Sequence, residues 1–482
     1  MKSHTTMTLN NVIMSYNTKN NGFYERLFIM DIIIGMIITF CVLILSIFKG
    51  LFVGFPLLLA LFIFAFISLR RGFLLNDIIK MSIDGGKKSF IVLTIFILIG
   101  SITGVWMASG TVPAIIYYGI TYMNPNFFIL YAFIISCVVS FILGTSLGTV
   151  STVGVALILM AKSGNVNVNI AAGAIIAGSY FGDRCSPMSS SANLIANLTK
   201  TNLYTNILNM FKTSIIPFIL SVVIYLIISL KQPLNLIQNN IDTEIITIFQ
   251  INWIILLPAI TILFFSLFKI DVKISMFISI ALASIIAILF QQSTPVKVLK
   301  FIFLGFQLDE ASSLKNILKG GGIISMWKPA LVVFVSCALS GIFSGTNMLK
   351  KVEDILMKAK TRYVLFIYTT ITSIVTAAFG CNQSISIVLT HHLMNKSYDD
   401  KNIDKYKLSL DLENTAVVLA ALIPWNIAAF VPTMTMEVSS TGFIPYAFYL
   451  YLVPITNMLY LKILEIKHSK LLINNTIKTD LP

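Results

Sequence analysis

Charge is scarce in this chain. Of 482 residues only 11% are charged, and Asp and Glu together number 20. A soluble domain carries about 25% charged residues, whereas 57% of this sequence is hydrophobic, so a single soluble core is excluded. Cysteine is also sparse: there are five, scattered through apolar segments without a CxxC pair, which argues against a disulfide framework and against a zinc site. The four histidines never form HExxH, and GxxxxGK[ST] is missing, so neither a zinc hydrolase nor ATP drive has a sequence basis. Residues 1–27 are polar and show no cleavage-site pattern ahead of a short apolar core; they read as a cytoplasmic tail and not as a signal peptide.

What the chain has instead is apolar runs. Stretches such as "IIIGMIITFCVLILSIF" and "SIIPFILSVVIYLIISL" recur from end to end, each in the range of about 17–25 residues that crosses a bilayer. The chain reads as an all-α polytopic membrane protein of about ten to thirteen spans. Its net charge of +14 would suggest nucleic acid in a soluble protein. Here the basic residues sit in loops and tails, as the positive-inside bias requires, and no nucleic-acid partner is expected. Arg70, Arg71, Lys80, Lys87 and Lys88 mark one cytoplasmic loop, and Lys350, Lys351, Lys358, Lys360 and Arg362 a second. Lys462, Lys467, Lys470 and Lys478 mark the C-terminal tail.

The sequence also repeats itself weakly. Two apolar spans, about 28–48 and 51–69, precede a charged connector ending in "DGGKKS" and a long helix "FIVLTIFILIGSITGVW". Two more, about 250–268 and 273–290, precede a connector ending in "LKGGGIIS" and then "PALVVFVSCALSGIF". Gly110, Thr111 and Val112 interrupt the first long helix; Gly345, Thr346 and Asn347 are placed to interrupt the second. "VSFILGTSLGTVSTVGVALILM" then matches "VTAAFGCNQSISIVLTHHLM", and "AGSYFGDRCSPMSSSANLIAN" matches "LSLDLENTAVVLAALIPWN". Duplicated halves with interrupted hydrophobic segments point to a secondary transporter, with broken helices meeting near the midplane. Loop charge favours inversion of the repeats: the segment after residue 120 is uncharged while its counterpart at 349–362 is strongly basic. The connector at 291–322 should then lie outside, yet Lys297, Lys300, Lys315 and Lys319 outnumber Asp309 and Glu310.

Inside the breaks lie the residues that can carry chemistry. A carboxylate at mid-helix costs about 2.5–3.5 kcal/mol on the insertion scale, so it needs a partner or a purpose. Asp183 and Arg184 are adjacent, but helix neighbours do not face each other. They border either solvent at a membrane face or a cation and proton site. Ser186, Ser189, Ser190 and Asn193 offer oxygens, the ligand type hard cations prefer, and Pro187 frees backbone carbonyls. In the second half Glu413, with Asn414 and Thr415, takes the same place, while Asp411 reads as part of the preceding loop. Thr145, Ser146, Thr149, Ser151 and Thr152, and in the other half Asn382, Gln383, Ser384, Ser386 and Asn426, read as substrate-lining groups, with helix packing by small residues the plainer alternative. His391 and His392 read as interfacial. "GTSLG" fits the GxSxG nucleophile elbow, but that motif needs a strand-turn-helix context that an apolar helical chain does not offer.

"GTVPAIIYYG", "GTSLGTVSTVGVAL", "AGAIIAGSYFGDRCSPMSSSANL" and "LENTAVVLAALIPWN" together resemble the signature segments of NhaC-type Na⁺/H⁺ antiporters, within the broader ion-transporter superfamily, over about residues 28–462. The resemblance implies a multi-pass secondary transporter of a bacterial plasma membrane that exchanges Na⁺ for H⁺, or couples these ions to organic acids as the similar malate/lactate antiporters do. It implies no cofactor and no enzymatic activity. Its polar breaks fall on Thr145–Thr152, Asp183–Asn193 and Glu413–Asn426. The chain departs from the family pattern at Ser190 and Asn414, where acids are common, and at Ala420 and Ala421.

The resulting expectation is a tail over 1–27, a first repeat over 28–230, a linker over 231–248, a second repeat over 249–462 and a basic tail over 463–482, both tails cytoplasmic. Na⁺ is expected near Asp183 and Glu413 as cargo. Further expected partners are H⁺, the lipid bilayer, small carboxylates and a second copy of the chain; Arg184 or Lys328 would serve a carboxylate.

Overall fold

The computed structural model describes residues 30–479 except 33, 47–48, 50, 88, 235–240, 269, 271, 309–318 and 347–360. The expectations placed on residues 1–27, Lys88, Asp309, Glu310, Lys315, Asn347, Lys350, Lys351, Lys358 and Lys360 lie outside the described residues, as does part of the 231–248 linker. Helices carry nearly all of the described chain. The strands among the described residues are β1 (Phe306–Gln307) and β2 (Lys319–Gly320), paired antiparallel.

In order, α1 (Met30–Ser46), α2 (Gly54–Arg70) and α3 (Leu75–Lys87) open the chain. They are followed by α4 (Phe90–Ala108), α5 (Thr111–Tyr122), α6 (Phe128–Leu143), α7 (Ser146–Thr149), α8 (Val155–Ser163), α9 (Val168–Cys185), α10 (Ser190–Thr199) and α11 (Leu203–Lys231). The second half holds α12 (Ile241–Ile248), α13 (Leu257–Leu267), α14 (Val272–Leu289), α15 (Pro295–Leu304) and α16 (Trp327–Thr346). After these come α17 (Arg362–Gly380), α18 (Gln383–Asp399), α19 (Lys405–Leu412), α20 (Val418–Ala420), α21 (Ile427–Thr435) and α22 (Phe448–Thr479).

Among the described residues five helical stretches are long and apolar enough to cross a membrane: Pro125–Leu143, Ser146–Ser163, Leu203–Lys231, Ile323–Thr346 and Arg362–Gly380. A sixth arises if Leu93–Ala108 and Thr111–Gly119 form one span bent by 68°. Four further apolar helical stretches of 10–17 residues, Met30–Ser46, Gly54–Arg70, Trp253–Ile262 and Lys273–Leu289, lie among the described residues. The bend falls at Gly110, whose φ of 79° only glycine adopts without strain. The matching interruption expected at Gly345, Thr346 and Asn347 falls where α16 ends, at Thr346, and the residues that follow lie outside the described ones. In that last turn Thr346 Oγ1 donates to Ile342 O at 2.7 Å, and a Cβ on Gly345 would lie 2.5 Å from Met81 Sδ. The last helix, α22, continues through residue 462 to Thr479.

The chain forms two compact units. One contains α1–α3 and the C-terminal part of α16 from Phe334. There Gly85 of the "DGGKKS" connector packs on Gly341, where an added Cβ would lie 2.7 Å from the Gly341 Cα, and Phe64 packs on Phe343 with ring centroids 4.5 Å apart. The other unit holds the remaining described elements and every candidate site residue. Its densest seam joins α6 to α9. Gly178 and Gly182, spaced as in a small-xxx-small motif, let the two backbones touch. A Cβ on Gly182 would lie 2.0 Å from the Ser140 carbonyl carbon, and one on Gly178 2.5 Å from Phe133 O. Gly182→Ala is expected to cost about 1–3 kcal/mol by overpacking, read as a lower melting temperature of the detergent-solubilised protein; an unchanged transition would contradict this seam.

Two breaks within this unit share one geometry. Gly144 ends α6 in the left-handed region (φ 66°), and Thr145 (φ −148°, ψ 129°) caps the next helix. Cys381 ends α17 in the same region (φ 52°), and Asn382 (φ −146°, ψ 135°) caps α18. A left-handed C-terminal residue followed by an extended N-cap is how one helix stops and another starts within two residues. Further on, Ser189 caps α10 and Asn426 caps α21. One π-turn, Val150–Gly154, follows α7, and a second, Glu413–Val417, follows α19. Such turns loosen the helix ladder and gather at functional positions.

Candidate ion-binding site

The helix starts created by the two matched breaks converge on one carboxylate. Asp183, near the end of α9, is only 3% exposed. Its Oδ2 accepts from Ser146 Oγ at 3.3 Å and from Gln383 Nε2 at 3.1 Å. Ser146 and Gln383 are the first residues of α7 and α18. The positive ends of two helices therefore face one acid, each worth about 0.3–1 kcal/mol to a nearby anion and up to about 2 kcal/mol when partly buried. The backbone carbonyl of Asp183 accepts from Ser189 Oγ and, at 2.8 Å, from Ser191 Oγ. Ser186 ends α9 in extended conformation, its hydroxyl accepting from Met188 N at 3.1 Å. Carboxylate, hydroxyls and carbonyl together form an all-oxygen cluster of the kind a hard cation prefers. Among the described residues no group of three or more His, Cys, Asp or Glu could hold a metal ion.

Arg184 points the other way, as the helix angle demands. It is wholly buried, with one guanidinium nitrogen donating to Ser214 and, at 3.2 Å, to Tyr449 Oη. The other donates to Thr213 Oγ1 at 2.7 Å and to the Asn414 side-chain oxygen. No ion pair to Arg184 forms among the described residues, and its Nε lacks a partner. The alternative in which Asp183 and Arg184 are solvated at a membrane face is thus overturned by their burial.

Glu413 opens the second π-turn, fully buried, and neither carboxylate oxygen has a hydrogen-bond partner. Arg184 and Asp183 lie within electrostatic reach of it. Asp411, expected in a loop, is instead the seventh residue of α19 and fully buried. It pairs with Arg362 at 2.6 Å and accepts from Tyr398 Oη at 2.5 Å. Arg362, expected among the loop cations, starts α17 and faces inward to meet it. A buried acid needs its counter-ion, and sequence distance hid this one.

The remaining candidates divide. Thr149 and Thr152 return their hydroxyls to the carbonyls of Thr145 and Gly148, at 2.9 and 2.8 Å, as helix-buried hydroxyls do. Ser151 does the same toward Leu147 O at 2.8 Å. Thr415 donates to Asp411 O at 2.6 Å and accepts from Ser373. Ser386 joins Thr376, which in turn meets Thr390. Asn426 ties the second-half break to α17, its amide donating to Ala377 O at 2.8 Å. Ser190, Asn193 and Ser384 are exposed and are not drawn into the Asp183 cluster; the Asn193 amide donates to Ser189 O at 2.7 Å. His391 and His392 lie within α18. "GTSLG" sits at a helix-to-helix break, with its serine hydroxyl committed to Asp183, which removes the nucleophile-elbow reading. Sequence reasoning missed Ser191, Thr213, Ser214 and Tyr449. The first three are hydroxyls beside apolar runs and could have been flagged; Tyr449 offered no signal.

Helix starts aimed at a buried acid, in a chain of membrane-spanning helices, define the secondary-transporter class. Residues 178–463, more than half of the sequence, match the Na⁺/H⁺ antiporter family, and the chain belongs to that family. It is 26% identical over 437 residues to the malate-2H⁺/Na⁺-lactate antiporter of Bacillus subtilis (strain 168), covering 88% of this chain and 91% of that one. It is 27% identical over 416 residues to the Na⁺/H⁺ antiporter NhaC of Alkalihalophilus pseudofirmus, covering 84% and 89% respectively. An uncharacterized Na⁺/H⁺ antiporter of Haemophilus influenzae is 28% identical over 412 residues, covering 81% and 86%. The NhaC-type resemblance read from the sequence motifs is thereby confirmed.

Proposed function

We propose that this protein exchanges Na⁺ for H⁺ across a bacterial plasma membrane, with Asp183 and Glu413 as the ionisable groups and both termini in the cytoplasm. The observation that carries this reading is the convergence of Ser146 and Gln383, one from each sequence half, on Asp183 Oδ2. Na⁺ would take the place of these donors' hydrogens at the carboxylate, with the Ser146 and Ser189 hydroxyls completing its shell.

The two halves act as inverted repeats. Setting Asp183 against Glu413 sets Arg184 against Asn414, and those two side chains touch. A contact between equivalent positions is what a two-fold axis through the site produces. Rocking of the halves about that axis would open the site to one side and then the other.

The test is flux in proteoliposomes. A sodium pulse outside should alkalinise the lumen, choline should not, and Glu413→Gln should lose most of the sodium-driven proton movement. Proton movement indifferent to sodium, or an unimpaired Glu413→Gln, would refute the reading. Arg184, buried without an acid partner, favours a second reading in which a small carboxylate is cargo. Counterflow of labelled lactate with no sodium requirement would select it.

A further inference from the structure

A groove of about 380 Å³ opens between α11, α19 and α22, apart from the Asp183 cluster. Lys212, Thr213 and Ile216 line one wall, and Asn457 and Tyr460 the other. Asn457 is 8% exposed, yet its amide nitrogen has no hydrogen-bond partner. Lys212 is exposed and makes no ion pair among the described residues. The groove thus presents unspent N–H donors and a positive charge, with no acid on its walls. Its occupant must bring acceptor oxygens and negative charge.

The setting says where that occupant comes from. The helices α11 and α22 run antiparallel, since Tyr225 meets Tyr446 O while Ser214 meets Tyr449. Lys212 lies two residues before the apolar run 214–230, and Lys462 directly follows the apolar stretch of α22, so both lysines mark the same end of the pair. Around the groove Ile216, Tyr460 and Ile463 turn outward, the first two 61% and 58% exposed. This is the profile of a headgroup-level site flanked by acyl-facing side chains. We propose that the groove holds the headgroup of an anionic phospholipid, its phosphate on Lys212 and the Asn457 amide and its chains along Ile216 and Tyr460. Occupancy bears on Thr213, whose hydroxyl lines the groove and accepts from Arg184 at 2.7 Å.

Native mass spectrometry of the full chain with added phosphatidylglycerol or phosphatidylcholine tests this whatever the cargo. Phosphatidylglycerol should be retained preferentially, and Lys212→Gln should weaken its retention about fivefold, the contribution of one lysine at a membrane surface. Lys462→Gln, at the same membrane level but outside the groove, should weaken retention of phosphatidylglycerol over phosphatidylcholine by less than Lys212→Gln does. Asn457→Leu should act in the same direction as Lys212→Gln; if it fails to fold, Lys212→Gln decides alone. Equal retention of both lipids, or equal loss in Lys212→Gln and Lys462→Gln, would overturn the assignment. So would displacement of phosphatidylglycerol by soluble lactate, which would make the groove a solute site.

Discussion

Asp183→Asn is expected to abolish sodium-driven proton movement while leaving the protein folded. Ser189 and Ser191 donate to the Asp183 backbone carbonyl, which the substitution keeps, while the side chains that donate to its carboxylate, Ser146 Oγ and Gln383 Nε2, reach the same atom, Oδ2. The carbonyl oxygen of an asparagine can accept both, so the helix starts keep their shared partner. What disappears is the charge. Removing one member of a buried charge interaction costs about 2–5 kcal/mol, which corresponds to a loss of roughly thirtyfold or more in affinity for the cation. Initial rates in proteoliposomes should fall at least that far, with melting temperature and yield near those of the wild type. A variant that still couples sodium to protons would place the cation elsewhere.

The second large effect is on stability and falls at Arg184. Four side chains from three elements accept from its guanidinium: Thr213 and Ser214 on α11, Asn414 in the π-turn and Tyr449 on α22. Removing it leaves these groups without their donor, three of them buried and Thr213 at the edge of an open groove. By analogy with breaking a buried ionic network, Arg184→Gln should cost about 3–5 kcal/mol. Arg184→Lys should recover little of this, because a point-like ammonium cannot span partners that a planar fork reaches together. Thermal unfolding in detergent reads the result. A lysine variant melting with the wild type would mean that charge alone, and not the fork, holds α11 and α22 to the π-turn.

These two residues also show what the sequence made legible. Asp183 stood out because a carboxylate inside an apolar run demands an explanation, and the "GTSLG" and "GCNQS" breaks stood out because polar clusters followed a helix-stopping position. Their shared backbone geometry follows from Gly144 and Cys381, and only the glycine announces a left-handed residue in advance. The partners were harder to see. Gln383 lies 200 positions from Asp183, and nothing local says that the two meet. Arg362 was absorbed into a basic loop because charge counting cannot distinguish a cation facing water from one facing Asp411.

A density map of the protein in lipid nanodiscs, recorded once in sodium and once in choline, puts the central idea to its most direct test. The sodium map should show an added feature between the Asp183 carboxylate and the Ser146 hydroxyl, with Gln383 still beside it, and the choline map should lack that feature. Maps in which Asp183 faces bulk water, or in which Ser146 and Gln383 approach different acids, would contradict a site built from both halves of the chain.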